Sequence, residues 1–107
     1  MKSLTLQEQY ALLAVHKLQD NAYLITIRDH IKELTGKEYA IGTIYTPLDR
    51  LWKMGYLNTV VSKPTPKVGG RSIKYYRITD EGIKTLENMK KIHDKMWLQF
   101  VETALSK

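Results

Sequence analysis

The chain has 107 residues, 43% of them hydrophobic and 26% charged, which describes one globular domain with room for a modest core. No apolar run approaches the ~20 residues of a membrane-spanning helix, and the first residues lack a charged-then-apolar signal layout. The absence of cysteine excludes disulfides and thiolate metal sites, so a cytoplasmic setting is expected.

Thr5-Leu6-Gln7-Glu8 has the spacing of a capping box, in which a threonine oxygen and a glutamate carboxylate satisfy helix-start amides reciprocally. Behind it Leu6, Tyr10, Leu13, Ala14 and Leu18 step at helical intervals, predicting a first helix over residues 6–19 that Asp20-Asn21 breaks. A second helix is expected over residues 24–35, with Leu24, Ile27, Ile31 and Leu34 on one face and Gly36 as its stop. Residues 37–40 connect it to a third, where Ile44, Leu48 and Leu51 form an apolar face with Trp52 beside them and Gly55 follows as a left-handed terminator. Pro47 constrains this helix, because proline lacks an N–H and clashes with the preceding turn. Either Thr43 is the N-cap, or Gly42 and Thr43 make an irregular first turn, or the helix starts at Ile41 and bends.

Residues 57–62 and 73–78 are rich in Val, Ile, Thr and Tyr and read as two strands. The loop between them is basic and punctuated by Pro64, Pro66, Gly69 and Gly70. Thr79 is placed as the N-cap of a last helix, with Asp80 and Glu81 at the positive end of its dipole. That helix continues to about Leu105, some ~39 Å at 1.5 Å per residue. Three helices, a two-stranded β-hairpin and a long terminal helix give a mainly α fold. It reads as a winged helix-turn-helix over residues 1–79 followed by a C-terminal dimerisation helix over residues 80–107. Ile83, Leu86, Met89, Ile92, His93, Met96 and Phe100 recur at three-and-four spacing along that helix, and Trp97, Val101 and Leu105 widen the stripe. So small a domain cannot cover it, so a homodimer is expected through this helix and the first one. An arm folded back on its own domain is the alternative.

Charge is concentrated in the middle of the chain. Residues 1–40 carry five Lys/Arg and five Asp/Glu, and residues 78–107 also carry five of each. Residues 41–77 hold Arg50, Lys53, Lys63, Lys67, Arg71, Lys74 and Arg77 against Asp49 alone, so the whole +6 lies in one helix and one hairpin. Such a confined excess is an electrostatic footprint for phosphate, and a solubilising surface clustered by chance is the bland alternative.

Gly42-Thr43-Ile44-Tyr45, then Leu48, Arg50-Leu51 and Gly55-Tyr56-Leu57, resembles the PadR family of bacterial transcriptional regulators. A second block, Gly69-Gly70-Arg71-Ser72 followed by Lys74-Tyr75-Tyr76-Arg77-Ile78-Thr79 and Gly82, extends the resemblance across essentially the whole chain. Ala40 departs from it, standing near the helix start where a capping side chain is expected. The resemblance is to the small members with a single C-terminal helix. It implies a homodimeric DNA-binding repressor whose third helix enters the major groove while the wing lies along the backbone or in the minor groove. It also implies that a planar hydrophobic compound can bind between the dimer's helices and release the DNA.

On the third helix, Thr43, Tyr45 and Thr46 are placed for base or phosphate contact, since early recognition-helix residues lie nearest the base edges. Arg50 and Lys53 are expected to clamp phosphates, and Asp49 to pair with one of them or to cap a neighbour. A partly buried Tyr45 packed on the wing is the alternative for that ring. In the wing, Gly69 and Gly70 allow a tight turn, Lys67, Arg71 and Lys74 carry charge, and Arg71 is the candidate for minor-groove insertion. Tyr75 and Tyr76 point to opposite faces of their strand, one into the core and one free for the DNA backbone, with Tyr75 the candidate for the free ring. Met96, Trp97 and Phe100 are candidates for a flat effector pocket, against the plainer reading that Trp97 fills the dimer core.

No catalytic residue, cofactor or metal is expected. His16, His30 and His93 lack ligand spacing to one another and to carboxylates, and no nucleophile or phosphate-cradling motif occurs. The expected partners are therefore inverted-repeat double-stranded DNA, a second copy of the chain and a small hydrophobic molecule, with no membrane. The competing function is a winged-helix interaction module that turns its basic face to an acidic protein.

Overall fold

The structure is a computed structural model and describes residues 3–63 and 71–106. In order they form α1 (Leu6–Leu18), a 3-10 turn (Gln19–Asn21), α2 (Leu24–Thr35), α3 (Ile41–Lys53), β1 (Leu57–Val61), β2 (Lys74–Ile78) and α4 (Asp80–Leu105). Helices α2 and α3 are the helix-turn-helix, and the antiparallel β1–β2 pair is the base of the wing. The predicted winged-helix architecture is therefore observed.

The expected capping box starts α1: Thr5 N–H donates to Glu8 Oε1 at 2.8 Å, and Glu8 N–H donates to Thr5 Oγ1 at 3.1 Å. The face that α1 buries differs from the predicted stripe. Ala11, Leu12, Ala14 and Val15 enter the core, whereas Leu6 and Leu13 are each 52% exposed. The helix is apolar on two sides, and α2, α3 and β2 pack on it. Tyr10 and Leu18 of the predicted stripe lie partly buried against the core, while Leu13 stands at its edge, beside Ile31 and Leu34 of α2. In α2, Ile27 and Ile31 are buried as expected, but Leu34, in the last turn, is 72% exposed.

Helix α3 begins at Ile41, with Ala40 as an N-cap that lends no side chain. Thr43 N–H and Ile44 N–H donate to the Ala40 carbonyl at 3.0 and 3.3 Å, so Thr43 is inside the helix and is not its cap. Pro47 is also inside and buried. Its missing N–H deprives only the Thr43 carbonyl of a helical partner, and Thr43 is exposed, where water substitutes. Ile44, Leu48 and Leu51 fill the core, but Trp52 stands 48% exposed at the edge of their face. Gly36 and Gly55 take the left-handed conformation expected of helix stops, at φ 72° and 82°.

The hairpin register runs from Leu57 opposite Ile78 to Val61 opposite Lys74. Beyond it Ser62 N–H donates to the Ile73 carbonyl at 2.8 Å and Ile73 N–H to Ser62 Oγ at 3.0 Å, so the predicted strands each lose only their outermost residue. On its other edge β2 is met by the chain entering α2, through a Tyr23–Tyr75 bridge and a Tyr76 N–H bond to the Ala22 carbonyl. Tyr76 and Leu57 close the core from this side, at 2% and 1% exposure.

Thr79 is the N-cap of α4, as expected, its Oγ1 accepting from Gly82 N–H at 3.1 Å. The same hydroxyl donates to the Gly55 carbonyl at 2.7 Å, and Thr79 N–H donates to the Tyr56 carbonyl. Only Gly82 and Thr85 of α4 are buried, and every described residue from Lys90 onward is exposed. The helix leaves the domain as an arm, giving extents of 61 × 29 × 20 Å, and does not fold back on it. Among the described residues no helix is long and apolar enough to cross a membrane.

Candidate nucleic-acid interface

Helix α3 turns two polar edges outward because its buried residues, Ile44, Pro47, Leu48 and Leu51, occupy one side only. Thr43, Thr46 and Arg50, spaced three and four apart, form one edge. They line a slot with Thr5, Gln7 and Glu8 of the α1 N-terminus, together with Gly42 and Pro47. Tyr45, Asp49 and Lys53 form the other edge, on the side of the hairpin. There Lys74 Nζ lies 5.8 Å from the Tyr45 ring centre and 5.5 Å from that of Tyr76, a cation over two aromatic rings that ties the recognition helix to the base of the wing.

Tyr45 is 45% exposed, so its ring is shared between Lys74 and solvent. Tyr76 is buried, and its phenol is pushed above its usual pKa, first by burial and then by the neighbouring Tyr45 and Asp49. Tyr75 points to the opposite face of β2 and meets Tyr23 edge-on at 5.5 Å. The structure thus assigns Tyr76 to the core, and it does not bring Tyr75 together with Tyr45 and Lys74.

Intramolecular pairing divides the basic residues. Asp49 pairs with Lys53 at 3.0 Å, one of its expected partners. Arg50 faces Glu8 at 3.8 Å, and Arg77 binds Asp20 at 2.6 Å. Both of these partners lie in the first helical region, where the sequence marks Glu8 as a capping residue and Asp20 as a helix break but gives no sign of either ion pair. Among the described residues, Lys63, Arg71 and Lys74 have no carboxylate within ion-pair distance, and all three are exposed. Lys67, Gly69 and Gly70 lie outside the described residues.

The residues expected at the dimer interface follow one another along α4. Ile83, Leu86 and Met89 are half-buried and, with His93, line an apolar groove against Gln9, Leu13 and His16 of α1. Ile92, Met96, Trp97 and Phe100 are between 54% and 65% exposed on the projecting arm, and Trp97 meets Phe100 edge-on at 5.5 Å. Leu13, on the apolar stripe the sequence shows in the first helix, stands beside these residues.

The PadR-like family of transcriptional regulators matches residues 12–88, from the middle of α1 into α4. The chain belongs to that family. No curated protein matches it. Among solved structures, a PadR-like transcription factor of Bacteroides fragilis shares 28% identity, with 91% of this chain and 84% of that one covered and a TM-score of 0.70. A PadR family regulator of Clostridium difficile has a TM-score of 0.71 at 24% identity, covering 91% and 99%. A PadR-like regulator of Bacillus cereus has a TM-score of 0.72 at 23% identity, covering 94% and 91%. The latter two likenesses attest the fold. PadR-like proteins are transcriptional regulators and not enzymes, and this family membership carries DNA binding with it.

Proposed function

We propose that this PadR-like regulator is a homodimeric, sequence-specific repressor that binds an inverted repeat in duplex DNA. Residues 1–79 form the DNA-binding unit and residues 80–107 the dimerisation helix. The observation that carries the reading is the exposed face of α3 set beside Lys74 at the wing base. Thr43, Tyr45, Thr46, Arg50 and Lys53 stand on it, and Lys74 and Arg71 lie beyond with no carboxylate partner among the described residues. Such a surface fits a groove walled by phosphates. Lys67, Gly69 and Gly70 of the wing, and Tyr75 if its ring leaves Tyr23, complete the proposed contact set.

The projecting apolar arm supports a second copy of the chain as partner. A helix exposing Ile92, Met96, Trp97, Phe100, Val101 and Leu105 in water gains about 1.5–3 kcal/mol for each such side chain fully buried. The apolar groove between α1 and α4 gives the partner helix a seat. Release by a planar hydrophobic compound at Met96, Trp97 and Phe100 is the finer part of the proposal.

Selection from random duplex DNA at physiological salt tests the reading. Enrichment of an inverted repeat is the expected outcome and reports specificity and two-fold symmetry together. Binding without enrichment would reduce the role to an electrostatic one. No binding would shift it to an acidic protein partner. Titration of planar aromatic compounds followed by Trp fluorescence tests the effector, and unchanged emission, together with unchanged binding in Trp97→Ala, would remove it.

A further inference from the structure

Glu8 is 4% exposed and is the only buried carboxylate among the described residues. Charged groups are rarely buried unless paired, and a capping glutamate needs no such burial to do its work. Its two oxygens are divided between two helices. Oε1 accepts from Thr5 N–H at 2.8 Å and holds the start of α1. Oε2 faces Nη1 of Arg50, on the outer edge of α3, at 3.8 Å. The carboxylate side chain is 5% exposed and the Arg50 side chain 63%, so a fixed, buried anion addresses a cation whose remaining edge is open to solvent.

This arrangement changes what Arg50 can do. A guanidinium beside a buried carboxylate contributes less net charge toward phosphate than a free one. It gains direction instead: the fork is planar, and a fixed anion 3.8 Å from one edge favours orientations in which the other points outward. Arg50 shares its edge of α3 with Thr43 and Thr46, and all three line the slot that Glu8 closes from behind. A directed guanidinium with a free edge matches the paired acceptors O6 and N7 of guanine in the major groove. The Asp49–Lys53 pair on the other edge lacks these properties, since both members belong to one helix face and a lysine is a flexible point charge.

We infer that Glu8 is a positioning residue for DNA recognition, holding Arg50 so that it reads a guanine edge in each half-site and does not serve as a phosphate clamp. The inference rests on the DNA-binding reading above and names the base contact within it. It also makes α1, through its first turn, part of the specificity apparatus.

The test is selection of duplex DNA in parallel with the wild-type protein, Glu8→Gln, Arg50→Ala and Arg50→Lys, with affinities for the selected site and for scrambled DNA. Glutamine retains the capping-box bond, so Glu8→Gln removes the charge and keeps the helix start. Arg50→Lys lies on the surface and keeps the charge without the fork. The expected result is that all three variants lose preference at the same G·C pair, by roughly ten- to a hundredfold, while binding to scrambled DNA by Glu8→Gln is unchanged or tighter. Combining Glu8→Gln with Arg50→Ala should cost no more than Arg50→Ala alone. Full preference in Arg50→Lys would make Arg50 a phosphate clamp and overturn the inference. So would a Glu8→Gln protein that binds every sequence more tightly with its preference intact. Lost preference in both Arg50 variants but not in Glu8→Gln would leave Arg50 a reader and remove Glu8. A wild-type protein that enriches no sequence would overturn the functional reading itself, an outcome distinct from the others.

Discussion

Replacing Gly82 by alanine should destabilise this protein, although the same change in a helix usually helps by roughly 0.5–1 kcal/mol. Gly82 lies in the first turn of α4, where a Cβ would come 2.5 Å from the Tyr56 carbonyl oxygen and 2.7 Å from Ile78 Cγ1. Ile78 can turn aside. The Tyr56 carbonyl is held by Thr79 N–H at 3.0 Å, and retreat would break that bond. Overpacking of this kind costs about 1–3 kcal/mol, and with the propensity gain subtracted the net loss is about 1 kcal/mol, within a range of roughly 0–2.5 kcal/mol. For a domain of this size the central value lowers Tm by roughly 4–8 °C. Gly42 supplies the control, since a Cβ there meets nothing within 4 Å. Gly42→Ala should hold or slightly raise Tm. The assay is thermal denaturation followed by circular dichroism at one fixed protein concentration, because a dimer melts in a concentration-dependent way. A Gly82→Ala protein that melts at or above wild type would refute the reasoning.

Two further outcomes follow from the interface. Lys74 has no carboxylate partner among the described residues whereas Lys53 has Asp49, so Lys74→Ala should lower the slope of log affinity against log salt by about one per contact. Lys53→Ala should lower it less, and equal slopes measured by fluorescence anisotropy would contradict the pairing. Tyr76 has its pKa raised by burial in the folded state, so the fold favours its neutral phenol. Its contribution to stability is complete below the ordinary tyrosine value of about 10 and is lost as pH rises through the higher folded value. Tyr76→Phe should flatten that alkaline loss in denaturant melts between about pH 9 and 11, the range around a tyrosine's ordinary ionisation.

The order of elements, the caps at Thr5 and Thr79 and the stops at Gly36 and Gly55 were legible because each depends on neighbours in the sequence. The face of α1 was legible only in part, since Tyr10, Ala14 and Leu18 pack on the core while Leu6 and Leu13 stand exposed. Leu6-Tyr10-Leu13 and Ala11-Leu12-Val15 are both apolar at helical spacing, and only the positions of α2, α3 and β2 decide between them. The start of α3 stayed open among Ile41, Gly42 and Thr43 because Pro47 constrains the helix without saying whether the Thr43 carbonyl it leaves unbonded is exposed; Ile41 is the observed start. On the basic face, the identity of the cations was readable but their freedom was not. Arg50 and Arg77 find acids on elements distant in sequence, and a charge count along the chain treats them like Lys63 or Lys74. The Lys74–Tyr45–Tyr76 contact was foreseen only as the alternative that packs Tyr45 on the wing, since helix and strand meet only after folding.

Thr79 joins the turn after the recognition helix, through the Gly55 and Tyr56 carbonyls, to the first amides of α4. That makes it the fulcrum of a lever. Its long arm is the ~39 Å of α4 and its short arm the few ångströms to the end of α3. A 5° tilt about Thr79 carries the tip of α4 through about 3.4 Å while the end of α3 shifts by a fraction of an ångström, for a helix of that rise. A displacement of several ångströms at the tip of α4 therefore reaches the end of α3 as a fraction of an ångström, so the recognition helix is insulated from small shifts of the arm.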